Sequence, residues 1–284
     1  MDMHSTSLFL LALIHLLVHV SAHDFLLPAE KTVVWSANHL HPVYTWGSRV
    51  ELDIHGTMVV KDYNGQIAWT NNVSSSDHAD RAQLLDTGNL VIKGKGDAIL
   101  WQSFDSPTDT LLPIQNITVA TKLVATQTLL VPGHYSFHFD DQHLLTLFDD
   151  EKDISFIYWP DPDINIWAKQ RNSFISTTIG VLDSSGHFLG SDNLSFTSSD
   201  SGPGIVRRLT LDYDGNLRLY SMDNNGAWIV SWMAYSRLCY VHGLCGKNGI
   251  CVYTPAPTCT CAPGYEAIDP SDGRKGCKPK LTVS

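Results

Sequence analysis

Leu85-Asp86-Thr87-Gly88-Asn89-Leu90-Val91-Ile92, followed by Ile99-Leu100-Trp101, is the stretch on which the fold reading turns. It sets β-type runs around a glycine turn and closes on a tryptophan. The unit stands earlier as Leu52-Asp53-Ile54-His55-Gly56-Thr57-Met58-Val59-Val60 with Ile67-Ala68-Trp69, and Val33-Val34-Trp35 supplies a third tryptophan. Steps of 34 and 32 residues separate the three indoles. A repeat of this period cannot bury its apolar face alone and must pack against its copies. Trp35 lies only 12 residues after His23, so the first copy is expected to be short of strands.

The unit returns as Leu211-Asp212-Tyr213-Asp214-Gly215-Asn216-Leu217-Arg218-Leu219-Tyr220 with Ala227-Trp228-Ile229-Val230, and more weakly as Leu182-Asp183-Ser184-Ser185-Gly186. Turn pairs such as Asn64-Gly65, Asp214-Gly215 and Asn225-Gly226 separate β-type runs, and no long 3.6-residue period appears. The body therefore reads as all-β, with a second domain made from the same unit as the first. The expected division is 23–118, 119–235, and a cysteine module from 236 to 284.

Residues 1–22 read as a signal peptide: Leu8 to Val20 is an apolar run of 13, too short to span a bilayer, and Val20-Ser21-Ala22 offers small residues for cleavage. No later window has 18 consecutive apolar residues, so the mature chain is expected to be soluble, without a membrane span. A net charge of -10 argues against nucleic acid and anionic membranes as partners, because both require a basic face. Asn72-Val73-Ser74, Asn116-Ile117-Thr118 and Asn193-Leu194-Ser195 are glycosylation sequons. All six cysteines lie between 239 and 277, as in a separate disulfide-stapled module too short to bury a core of its own. Six cysteines allow 15 pairings. A zinc site would need several close pairs, and only Cys259-x-Cys261 is close.

Trp35-Ser36-Ala37-Asn38, the Leu85 unit, and Trp101-Gln102-Ser103-Phe104-Asp105-Ser106-Pro107-Thr108-Asp109-Thr110-Leu111-Leu112-Pro113 together resemble the S-domain of plant receptor-like serine/threonine kinases. Tyr158-Trp159-Pro160-Asp161-Pro162-Asp163 and Arg208 through Ser221 extend the likeness, and His242-Gly243-Leu244-Cys245-Gly246 joins it to the cysteine module. It covers residues 31–277 and is strongest toward the branch typified by a maize receptor protein kinase. The resemblance implies a bulb-type lectin domain of the β-prism II kind, here with its first repeat truncated, then a lectin-like S-locus glycoprotein domain. An epidermal-growth-factor-like (EGF-like) module follows. For that module it implies the pairs Cys239–Cys251, Cys245–Cys259 and Cys261–Cys277. It also implies an extracellular protein, peptide or glycan ligand, with a homodimer or co-receptor as a further partner. The expected location is the apoplast, or the plasma membrane for a longer anchored form. The family's PAN domain, membrane helix and kinase have no counterpart after Cys277, and no nucleotide loop or kinase catalytic loop occurs, so this chain is expected not to be an enzyme.

Bulb-type lectins bind mannose with Gln-x-Asp-x-Asn-x-Val-x-Tyr, whose period-two spacing sets polar groups on one strand face. In the Leu52 repeat those positions hold Asp53, His55, Thr57, Val59 and Lys61; in the Leu85 repeat they hold Leu85, Thr87, Asn89, Val91 and Lys93. Both are expected to fail as mannose sites, since a site built for hydroxyls loses affinity when its partners are mismatched. The fullest remnant is Asp212, Asp214, Asn216, Arg218 and Tyr220, where Asp214, Asn216 and Tyr220 match. We take Asp212, Asp214, Asn216 and Tyr220 as the carbohydrate-binding candidates, against the competing view that Asp-Gly-Asn is hairpin chemistry.

The acidic residues Asp140, Asp141, Asp149, Asp150, Glu151 and Asp153 lack the glycine-punctuated loop of a calcium site. Neither His39/His41 nor His134/His138 has ligand-spaced partners, and Asp161 and Asp163 are not an opposed glycosidase pair. No nucleophile elbow is present, so no catalytic residue, metal or cofactor is expected. The reading is an extracellular recognition region. The alternatives are a secreted mannose-binding lectin, a secreted hydrolase, or a non-functional gene fragment whose shortened prism does not fold.

Overall fold

The computed structural model describes residues 32–37, 43, 47–73, 77–128, 131–141, 143–149, 155–160, 171, 178–253 and 255–280. The expected signal peptide, the missing strands of the first repeat, His39/His41, Asp150, Glu151, Asp153, Asp161 and Asp163 lie outside the described residues.

One hairpin turn recurs through the fold. Among the described residues it begins at Asp53, Asp62, Leu85, Asp183, Gly190, Asp212 and Asp223, with the first N–H donating to the fifth residue's carbonyl and the fourth N–H to the first carbonyl. In six of these the fourth residue is glycine at a φ between 78° and 88°, a left-handed conformation that a Cβ would strain, and in the Gly190 turn it is Asn193 at a φ of 63°. In three of these turns the opening aspartate caps the loop. Asp53, Asp183 and Asp223 each accept two backbone N–H groups on Oδ1, from the third and fifth residues.

The first β body contains strands β1 (Arg49–Leu52), β2 (Met58–Lys61), β3 (Ile67–Thr70), β4 (Ala79–Leu84), β5 (Leu90–Gly94) and β6 (Ile99–Gln102). They form two three-stranded antiparallel sheets, β1-β2-β3 and β4-β5-β6. The repeat in sequence is a repeat in register: Val60 lies opposite Trp69 as Ile92 lies opposite Trp101. Trp35, Trp69 and Trp101 meet at the centre, with ring centroids 6.1, 5.9 and 6.0 Å apart in edge-to-face pairs. Trp35 Nε1 donates to the Ser106 carbonyl at 2.8 Å, so its polar edge is satisfied inside the core.

The second body comprises β7 (Thr110–Leu111), β8 (Asn116–Thr118), β9 (Lys122–Thr128), β10 (Val131–Asp140), β11 (His143–Asp149), β12 (Ser155–Trp159), β13 (Ile179–Leu182), β14 (His187–Gly190), β15 (Ser195–Thr197), β16 (Arg207–Leu211), β17 (Leu217–Met222) and β18 (Trp228–Met233). Three four-stranded sheets result, ordered β12-β11-β10-β9, β15-β14-β13-β8 and β18-β17-β16-β7. β7 and β8, on the N-terminal side of residue 118, pair into this body, with Leu111 opposite Leu209 and Ile117 opposite Gly180. Leu111, Ile117, Leu209, Leu211, Leu217 and Leu219 are all fully buried in its core. Each such side chain contributes roughly 1.5–3 kcal/mol by leaving water. Phe196 stacks on Trp232 at 3.8 Å within the same core.

The cysteine module is built on two hairpins, β19 (Gly249–Tyr253) with β20 (Pro257–Cys261) and β21 (Tyr265–Ala267) with β22 (Cys277–Pro279). Disulfides join Cys239 to Cys251, Cys245 to Cys259 and Cys261 to Cys277. Val241 and Leu244 of this module enter the core of the second body. Among the described residues no helix is long and apolar enough to cross a membrane.

Candidate functional site

In the first body, the lectin-type positions are occupied by contacts within the chain. Asp53 Oδ1 is consumed by the N–H groups of His55 and Thr57 at 2.8 and 2.9 Å, and Lys61 Nζ is paired with Glu51 at 2.6 Å. Asn89 is buried; its Nδ2 donates to Gln102 Oε1 at 2.9 Å, while its Oδ1 accepts from Ser103 Oγ and the Phe104 N–H. Leu85 and Thr87 offer no equivalent of the missing glutamine and aspartate.

The second body uses its Asp212 turn differently. Asp212 does not cap its own loop. Asp214 does so instead, with Oδ1 accepting the Asn216 N–H at 3.0 Å, and this leaves the Asp212 carboxylate free to turn along β17. There Asp212 Oδ2 accepts from Arg218 Nη1 at 2.5 Å and from the Tyr220 hydroxyl at 2.7 Å. Arg218 also grips Asp214, so Asp212 and Asp214 converge on the guanidinium that replaces the family's valine, and Tyr220 joins the cluster through Asp212. Asn216 faces inward. Its Nδ2 donates to the Tyr235 carbonyl at 2.8 Å and its Oδ1 accepts the Tyr235 N–H at 3.1 Å, clamping the start of β17 to the chain beyond β18. Burial, aided by the Asp214 charge, raises the Asp212 carboxyl above its ordinary range despite Arg218 and Tyr220. Burial likewise raises Tyr220, and the Asp212 charge adds to it.

Beside this cluster lies a second polar group that sequence reasoning missed. The Arg208 guanidinium sits 4.2 Å from the Tyr220 ring centre and 4.8 Å from that of Trp228, and its Nη1 donates to Thr210 Oγ1 at 2.7 Å. Across the sheet Thr210 meets Thr110, whose hydroxyl also donates to Asp109. Burial holds the Asp109 carboxyl above its usual range. Period-two spacing of Arg208 and Thr210 is the only local signal for this row, and it acquires meaning only once the register places Arg208 opposite Tyr220.

The other sequence candidates are dispersed. Asp140 and Asp141 lie at the β10–β11 turn, whereas Asp149 ends β11 at its opposite end. Among the described residues no three His, Cys, Asp or Glu side chains are grouped as metal ligands. His138 Nδ1 lies 3.2 Å from Ser136 Oγ, and His134 packs on Phe148. Asn72, Asn116 and Asn193 are all exposed.

Several clefts flank the second body. One, of about 290 Å3, separates it from the first body and is mostly apolar, with Val34, Leu112, Ile114, Val206 and Trp228 in its walls. Another, of about 340 Å3, opens against the cysteine module and is lined in part by Tyr213 and Asp214 of the candidate turn.

Two lectin-like β bodies and a disulfide-stapled module define the class, an all-β protein of recognition-type domains. Family models agree: one described as D-mannose binding lectin matches residues 32–131, and the S-locus glycoprotein domain matches residues 164–269. The chain thus carries a bulb-lectin domain and an S-locus glycoprotein domain, with G-type lectin S-receptor-like kinases as relatives. A Zea mays protein described as receptor protein kinase ZmPK1 is 50% identical over 252 residues, covering 87% of this chain and 31% of the maize protein. The Arabidopsis thaliana G-type lectin S-receptor-like serine/threonine-protein kinase At5g24080 is 31% identical over 285 residues, 88% of this chain and 32% of that protein. The chain therefore spans about a third of these curated relatives. A Scilla campanulata agglutinin, described as a fetuin-binding two-domain lectin, aligns over 72% of this chain and 81% of its own at 16% identity. Its TM-score of 0.27 is too low to carry an argument.

Proposed function

We propose that this chain is the extracellular ligand-recognition region of an S-domain receptor-like kinase, exported to the apoplast, and that it recognises rather than catalyses. The observation that carries the reading is the 50% identity to a receptor protein kinase along 87% of the chain. Three exposed sequon asparagines and a module built on three disulfides support export, since both suit an oxidising, glycosylating compartment. Mannose binding by the first body is disfavoured, because Asp53 and Asn89 are already committed to partners within the chain. Of the carbohydrate-binding candidates, Asp212, Asp214 and Tyr220 share one cluster, and Asp214 also lines the cleft against the cysteine module. Asn216 supports them by fixing the strand.

Expression of the full chain in plant cells tests this reading. The expected product is found in the apoplastic fluid, loses mass on enzymatic deglycosylation, and is not retained on immobilised mannan. A protein confined to the cytosol and without glycans would refute export, and mannose-eluted retention would favour the lectin alternative.

A further inference from the structure

The cleft of about 340 Å3 between the second body and the cysteine module is at the small end of the range for small-molecule sites. Tyr135 and Phe148 form its aromatic floor, with ring centroids 5.2 Å apart. Tyr213 stands exposed at the rim, with the Arg274 guanidinium 4.6 Å from its ring centre. Two glycines let the walls close on this floor. A Cβ at Gly215 would come within 2.6 Å of the Tyr135 ring, and one at Gly243 within 2.6 Å of Phe148.

Tyr135 is 7% exposed, yet its hydroxyl has no hydrogen-bond partner among the described residues. The neighbouring Tyr158 shows the contrast, donating to the Gly215 carbonyl at 2.6 Å. The Tyr135 hydroxyl is not among the fully buried orphan polar atoms, so it is open to the cleft, where a ligand oxygen can replace water as its partner. The charges are mostly committed: Asp214 to Arg218, Arg274 to Asp272, and Lys275 to Asp269. Lys247 lines the same cleft, is exposed, and makes no ion pair among the described residues.

We propose that this cleft binds an acidic sugar, one hexuronate unit of a glycan. The carboxylate meets Lys247, a ring hydroxyl meets the Tyr135 hydroxyl, and the C–H face of the sugar lies on Tyr213. Remaining hydroxyls donate to spare lone pairs of Asp214 and Asp272, since a carboxylate accepts more bonds than one guanidinium supplies. A simple aliphatic acid would engage Lys247 alone and leave the phenol and aromatic rim unused. The inference rests on the ligand-recognition reading and names the ligand class for one site.

The test is calorimetric titration of the secreted full chain with glucuronic acid, galacturonic acid, glucose, acetate and a pentapeptide with a free C-terminal carboxylate. One hexuronate is expected to bind at least about tenfold more tightly than glucose or acetate, and Tyr135→Phe and Lys247→Gln each to weaken it about tenfold. Tyr135→Phe is expected to leave the melting temperature unchanged, because the hydroxyl has no partner in the fold. A lowered melting temperature with binding intact would overturn the proposal, as would equal affinity for glucose and hexuronate. Tighter binding of the peptide would also overturn it. A chain that is exported and glycosylated but binds none of these probes refutes the cleft assignment and leaves the recognition reading standing.

Discussion

Arg218 holds Asp214 through two parallel contacts, Nη1 to Oδ1 at 2.9 Å and Nη2 to Oδ2 at 2.7 Å. The same Nη1 reaches Asp212, so one guanidinium neutralises two carboxylates at the edge of β17. All three side chains are at least four-fifths buried, at 13%, 17% and 10% exposure for Arg218, Asp212 and Asp214. Arg218→Val, which restores the residue type of the lectin pattern, leaves both carboxylates without their counter-charge. The expected cost is about 3 kcal/mol in urea unfolding, by the rule for removing one partner of a buried ion pair. A change below about 0.5 kcal/mol, the range of ordinary surface substitutions, would show that water already screens the cluster.

Asn216 separates a structural from a binding role for the candidate strand. Its amide is 1% exposed and makes both of its described bonds to the Tyr235 backbone. Asn216→Ala is therefore expected to lower stability by about 1–3 kcal/mol while leaving glycan affinity per folded molecule unchanged. Thermal melting read together with ligand titration decides it. Loss of affinity at unchanged melting temperature would return Asn216 to the binding row.

Acid titration should act with opposite signs on two aspartates that open the same kind of turn. The Ala227 and Asn225 N–H groups hold Asp223 below its ordinary value of 3.8, so its stabilisation is complete above that value and is lost as pH falls through the lower folded one. Burial raises Asp212 above 3.8, so its ionised form is the disfavoured one and stability declines as pH rises from 3.8 through the folded value. In chemical denaturation between pH 7 and pH 3, the stability gap between the natural chain and Asp223→Asn is expected to narrow on acidification. Relative to Asp212→Asn, the natural chain is instead expected to gain stability on acidification. Parallel behaviour of the two variants would contradict the assigned environments.

Much of the fold is local and was readable for that reason. The Asp-x-x-Gly turns declare themselves within five residues, and the tryptophan spacing announces copies that share a core. What the sequence left hidden depends on partners far along the chain. Thr110-Leu111 looks like the tail of the first domain, yet it becomes an edge strand of the second through Thr210 and Leu209. Asp212, Asp214, Asn216 and Tyr220 have the period of a polar strand face. Only the tertiary position of Tyr235 turns Asn216 inward, and the other three are joined by Arg218 between the two aspartates and by Asp212 to Tyr220. Six cysteines admit 15 pairings, and it was the family resemblance, not the spacing, that singled out one. The cleft draws on residues from His134 to Lys275, beyond the reach of any local motif.

The indole triad gives the most direct test of whether the first repeat completes the first body. Trp35 is 6% exposed, and its ring centroid lies 6.1 Å from that of Trp69 and 5.9 Å from that of Trp101, although residues 32–37 form no strand. If the triad is the keystone of this core, Trp35→Ala opens a cavity lined by the two other indoles and by Met58 and Ile92. Large aromatic-to-alanine changes in cores cost about 3–5 kcal/mol, enough to unfold a marginal β body. Trp35→Phe keeps most of the packing and removes the bond to the Ser106 carbonyl, so it should cost about 1–3 kcal/mol. The measurement is equilibrium unfolding followed by tryptophan fluorescence and near-ultraviolet circular dichroism. Trp35→Ala is expected to abolish the near-ultraviolet signal of the triad and to lower the unfolding midpoint well below that of Trp35→Phe. Equal midpoints for the two variants would mean that the first body is held by its two sheets alone, with the first repeat adding no packing energy.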